Sequence, residues 1–117
     1  MWDVEFTDQF GAWHANLTEE EQDVIEAAVK VLITDGPDLG RPLVDRIKRS
    51  NIKHLKELRP PSTSLRILFV FDPRRSAILL LGGNKARQWN AWYDRNIPIA
   101  EALYEEYLRE LKREGLI

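Results

Sequence analysis

The 117-residue sequence has no cysteine, so no disulfide can staple the fold and no thiolate can hold a metal. Stability must come from core packing in a single domain, residues 1–117. Histidine is nearly as scarce: His14 and His54 lie 40 positions apart, with neither HxH nor HxxxH spacing. No metal site and no cofactor is expected. No GxSxG marks a nucleophile elbow. Gly82-Gly83 lacks the spacing of a phosphate-binding loop and reads instead as the end of a strand. Long apolar runs are missing as well. None exceeds five residues, as in Ala77–Leu81, against the roughly 20 that span a bilayer. No basic start followed by an apolar stretch suggests a signal peptide, so a cytoplasmic protein without membrane contact is expected.

What is present is ordinary in total and uneven in arrangement. Apolar residues make up 44% and charged residues 31%, the balance of a folded globular chain. Residues 1–40 set Lys30 against ten acids, a net of −9. Residues 41–95 carry thirteen Lys and Arg against Asp45, Glu57, Asp72 and Asp94, a net of +9. The overall charge of −2 therefore conceals a basic middle and an acidic start. Such segregation implies one surface for a polyanion and another for a different partner.

Periodicity supplies the elements. Trp2, Val4 and Phe6 alternate with polar residues, as in a short strand with one buried face. Thr7 opens a short helix, and Thr18 with Glu21 forms a capping box for a second. That second helix puts Ile25, Ala28, Val29 and Leu32 on one stripe and stops at Gly36-Pro37. Residues 7–35 thus read as a helical hairpin. Strands are predicted at Leu43–Ile47, Ile52–Arg59 and Leu65–Phe71, the last returning through Asp72-Pro73 into Ile78–Leu81. A final helix opens near Pro98, with Ile99, Leu103, Tyr107, Leu108 and Leu111 on its apolar side. The fold class is α+β, an antiparallel sheet with helices against one face.

Within that frame the candidate chemistry is cationic. Arg59 ends one strand, Arg66 sits inside the next, and Lys85 follows the third. Arg66 shares a face with Leu68 and Val70, where an arginine needs a partner or a cleft. Two readings remain open: a structural ion pair of Glu57 with Arg66 or Arg59, or a concave phosphate-binding cluster. The second suits RNA cleavage, because the 2′-OH can attack its own phosphate once protons are moved and charge is stabilised. Arginine binds phosphate bidentately, and a lysine crowded by cations becomes a usable proton-transfer group. Trp89, Trp92 and Tyr93 interleave with Lys85, Arg87 and Arg95, as on single-stranded RNA surfaces, although tryptophans at helical spacing also serve as core.

The ordered set Lys56-Glu57-Leu58-Arg59, Leu65-Arg66-Ile67-Leu68-Phe69, Phe71-Asp72-Pro73-Arg74, Leu81-Gly82-Gly83-Asn84-Lys85 and Trp89-Asn90-Ala91-Trp92-Tyr93 resembles the HigB-like branch of the RelE/ParE toxin superfamily. The resemblance implies a RelE-like fold, with the N-terminal helical hairpin packed on a twisted antiparallel sheet and a C-terminal helix. It implies a type II toxin that cuts mRNA in the ribosome without a metal. Its partner would be a helix-turn-helix antitoxin, through which alone the pair meets operator DNA. Carried over by residue, Arg59 and Arg66 would bind phosphate, Lys85 would transfer a proton or contact phosphate, and Tyr93 would stack or assist. His54, Lys56, Arg74, Arg87 and Trp89 complete the expected RNA-contacting set. The ParE branch shares the fold yet inhibits DNA gyrase by binding, and a relative without activity is the remaining alternative.

Overall fold

The longest strands form the centre of the fold. In the computed structural model, which describes residues 1–117, β4 (Leu65–Phe71) and β5 (Ala77–Asn84) make the expected hairpin. Its turn is closed by the Asp72 carboxylate, which accepts the Ser76 backbone N–H at 3.0 Å. On one side follow β3 (Lys56–Leu58) and β2 (Val44–Arg46), both antiparallel. On the other side β1 (Val4–Phe6) joins β5 in parallel, so the order is β1-β5-β4-β3-β2. The antiparallel expectation thus holds for β2 to β5, and β1 makes the sheet mixed. The strand expected over Ile52–Arg59 is shorter, only Lys56–Leu58.

Helices cover both faces rather than one. α1 (Asp8–Ala15) and α2 (Glu19–Asp35) lay Phe10, Ile25, Ala28 and Leu32 against Leu65, Ile67, Phe69 and Leu79. The Thr18 and Glu21 capping box is present in full at the start of α2. α3 (Asn90–Arg113) covers the opposite face, placing Trp92, Ile97 and Ala100 against Leu68, Val70, Ile78 and Leu80. This double burial is why β4 and β5 read as continuous apolar runs. α3 begins eight residues before Pro98, which lies inside the helix on its exposed side. Ile99, expected on the apolar stripe, is 42% exposed.

A bulge sets the register that matters for the site. Leu68 pairs with Leu81 and Phe69 with Leu79, leaving Leu80 without a partner across the ladder. The Leu80 carbonyl accepts the Thr7 hydroxyl at 2.6 Å instead. Beyond the bulge Arg66 stands opposite Gly83, on the α3 face. The two glycines do not end the strand. They lie within β5, where a Cβ on Gly82 would strike Trp13 at 2.2 Å and one on Gly83 would strike Trp92 at 2.4 Å.

Candidate active site

Strand pairing decides which charges meet. Glu57 on β3 pairs with Leu68 on β4, so Arg66, two residues along, is its diagonal neighbour on the same face. The Arg66 Nε lies 3.6 Å from Glu57 Oε1, with the two side chains only 8% and 10% exposed. One Arg66 terminal nitrogen donates to the Leu65 carbonyl at 2.7 Å and to the Thr63 carbonyl at 3.3 Å. Its Nε has no hydrogen-bond partner. A buried donor left without an acceptor costs about 1–3 kcal/mol. Glu57 is held from the other side by the Tyr93 hydroxyl of α3, which donates to Oε1 at 2.6 Å.

Lys85 and Arg59 complete the group. The Lys85 ammonium stands 4.5 Å from the Trp89 ring centre and 5.8 Å from that of Tyr93. Burial lowers its pKa, as do the positive charges of Arg66 and Arg59, while Glu57 opposes them. Arg59 is partly exposed, and its guanidinium is 3.8 Å from Asp45. Arg59 and Arg66 share a pocket of about 210 Å³ with Pro42, Pro60, Ser62 and Thr63. The expected pairing of Glu57 with Arg66 is present, and the same arginine lines a pocket with Arg59 whose walls do not include Lys85. No three His, Asp or Glu side chains converge as a metal-ligating group.

Burial, the bond to Glu57 and its charge push the Tyr93 pKa up to about 12, against the weaker opposing effect of Arg66. Tyr107, half-buried and donating to Glu5, is likewise raised to about 12. Acids raised in the folded state stabilise it below their unfolded pKa of 10.0, and this is lost as pH climbs through the folded value. The urea midpoint should therefore hold steady to about pH 10 and fall toward pH 12. In Tyr93→Phe/Tyr107→Phe that alkaline fall should shrink; an unchanged fall would assign it to other groups.

The remaining candidates are dispersed. Trp89 is 66% exposed beside Lys85, whereas Trp92 is core at 3%. Arg87 is exposed in the turn before α3. His54 is exposed in the loop before β3. Lys56 faces away: its ammonium donates to the Pro37 carbonyl at 3.1 Å and lies over Phe71, on the α1/α2 side. Arg74 sits in the β4–β5 turn at the other end of the hairpin, bound to Asp72 and Glu5. Sequence reasoning treated Glu57 only as an ion-pair partner, yet it is the acceptor that joins Arg66 to Tyr93. It also missed Arg49, which bonds Asp94 at 2.7 Å and lies 5.8 Å from the Tyr93 ring centre. An acid in a short apolar strand was a usable signal for Glu57; nothing marked Arg49 among its basic neighbours.

Comparison with known proteins bears on this arrangement. Residues 12–105 match the family described as "Phage derived protein Gp49-like (DUF891)". HigB3 of Mycobacterium tuberculosis, a toxin by name, is 49% identical over 86% of this chain and 88% of its own. HigB2 of the same organism, also named as a toxin, is 44% identical over 90% of this chain, which spans 54% of that protein. In fold, the chain resembles the isolated Escherichia coli RelE toxin, with a TM-score of 0.60 at 7% identity over 72% of this chain and 84% of RelE. It also resembles a chain of the RelBE2 toxin-antitoxin complex of Mycobacterium tuberculosis, with a TM-score of 0.55 at 19% identity over 71% and 96% of the two chains. Those two likenesses concern fold alone. With most of its length matched by the family and 49% identity to HigB3 over 86% of the chain, it belongs to the Gp49-like family of HigB toxins and is built on the RelE fold.

Proposed function

We propose that this chain is the toxin of a type II toxin-antitoxin pair and cleaves mRNA on the ribosome. The observation that carries the reading is Arg66 itself, held on a mostly apolar sheet face yet lining a pocket with Arg59. A phosphate oxygen in that pocket has the charge that two guanidinium groups attract. In the reaction the ribose 2′-oxygen bonds to phosphorus while the bond to the 5′-oxygen breaks, giving a 2′,3′-cyclic phosphate and a 5′-hydroxyl. Arg59 and Arg66 hold the phosphate and offset its developing charge. Lys85, its pKa lowered, is the acid that protonates the leaving 5′-oxygen. The 2′-OH proton leaves to water, Glu57 holds Arg66 and Tyr93 in place, and exposed Trp89 offers a stacking face for a base. A helix-turn-helix antitoxin would neutralise the toxin. The Glu57–Arg66 pair also suits a second reading, a purely binding inhibitor in which the arginine is structural.

A cell-free translation reaction with mRNA 5′ ends mapped by primer extension separates the two. New ends in register with codons are expected from the unaltered chain, and Lys85→Ala or Arg59→Ala should reduce them about 100-fold. Intact mRNA with folded protein would sink the nuclease reading and favour the binding inhibitor. No helix of the chain is long and apolar enough to cross a membrane.

A further inference from the structure

Phe6 shares strand parity with Trp2 and Val4 and was expected in the core, yet it is 59% exposed. It forms a ridge between two hollows at the β1 edge of the sheet. One, of about 630 Å³, is walled by Phe10, Ile25, Val29 and Leu79 between β1 and the helical hairpin. The other, of about 490 Å³, lies toward α3 against Leu103 and Tyr107. Of the charged side chains lining the two, Asp8, Glu26, Glu106 and Glu110 are acidic, and Lys30 is the one lysine or arginine. The Arg66 cluster lies elsewhere. Leu79, the β5 partner of Phe6, is four residues from Gly83, the partner of Arg66, or roughly 13 Å along the strand. Leu79 also faces the α1/α2 side, whereas Arg66 faces α3.

The sign of the charge selects the occupant. An acidic rim repels RNA and anionic lipid. A second copy docked face to face would set Asp8, Glu106 and Glu110 against their own likenesses, because a two-fold contact repeats one patch on both partners. What fits is a polypeptide whose apolar residues recur at helical spacing between lysines and arginines. We propose that the β1 edge docks a basic amphipathic helix of a separate chain, its apolar stripe over Phe6 and its cations toward Asp8, Glu26, Glu106 and Glu110. In the toxin reading, on which this identification alone rests, that helix belongs to the antitoxin. The antitoxin then grips the toxin on a face that leaves Arg59 and Arg66 uncovered.

The test uses three labelled peptides of about 18 residues and fluorescence anisotropy with the whole chain. One carries a leucine stripe between lysines, the second the same stripe between glutamates, and the third scrambles the first. Saturable binding by the lysine peptide alone is expected. Phe6→Asp and Glu106→Lys should each weaken it about tenfold, and Arg59→Ala should leave it unchanged. Glu106 is exposed on α3, so that variant serves even where Phe6→Asp disturbs folding. Absent binding by the lysine peptide, equal binding by either control, or indifference to both β1-edge variants overturns the proposal. So does self-association of the chain that disappears in Phe6→Asp, which would make a second copy the occupant. RNA takes no part in these measurements, so they stand apart from whether the chain cuts mRNA.

Discussion

Replacing Arg66 by alanine should remove both stability and cleavage, and restoring neutrality at Glu57 should return only the first. Arg66→Ala leaves the Glu57 carboxylate, 10% exposed, without its cation on a face packed by Leu68, Val70 and Trp92. Breaking a buried pair in this way costs about 3 kcal/mol, since the surviving charge stays out of water. Glu57→Gln in the same background removes that charge while its amide oxygen still accepts from Tyr93. The double variant should recover most of the denaturation midpoint. Its cleavage should remain about 100-fold down, because nothing replaces the guanidinium at the phosphate. Equal recovery of stability and cleavage would make Arg66 a structural residue and remove the centre of the proposed mechanism. The double variant thus decides between the ion pair and the phosphate site, which the single variant cannot separate.

How much of this was legible depends on whether a feature is local. The Thr18 capping box, the stop at Gly36-Pro37 and the hairpin over residues 65–81 are set by neighbours in sequence, and they formed where expected. Parity put Arg66 with Leu68 and Val70, and that face is where α3 packs. The partner of β1 lies more than 70 residues away, and alternation says nothing of partner or direction. Pro98 misled because proline favours helix starts. Here it stands on the exposed side of a helix already begun, where the carbonyl of Asp94 loses its N–H partner but keeps access to water. Lys56 and Arg74 sit beside site residues in sequence, but strand alternation turns one to the far face and the hairpin carries the other to its far end. Family likeness named Arg59, Arg66, Lys85 and Tyr93; pairing across β3 and β4 fixed Arg66 as the partner of Glu57, and α3 brought Tyr93 to the same carboxylate.

The glycines show most plainly what sequence alone could not carry, and they yield the second large effect. Gly83→Ala should destabilise the fold and impair the site together. A Cβ there would lie 2.4 Å from Trp92 Nε1 and 2.9 Å from two further ring atoms, and Trp92 is core at 3% exposure. The indole cannot yield without disturbing Leu68, Leu80 and Ile97, so a loss of about 2 kcal/mol is expected. Tyr93 follows Trp92 and stands edge-on to it at 5.1 Å, so moving the indole moves the hydroxyl that holds Glu57. Gly82→Ala is the control. It makes the same intrusion on the opposite face, against Trp13 at 2.2 Å, where no residue of the cluster lies. Under conditions where both variants are fully folded, Gly83→Ala should cleave about tenfold more slowly than Gly82→Ala, because small displacements in a positioned site are expensive in rate. Equal rates would mean that the Trp92 platform supports the fold without aligning Tyr93 and Glu57.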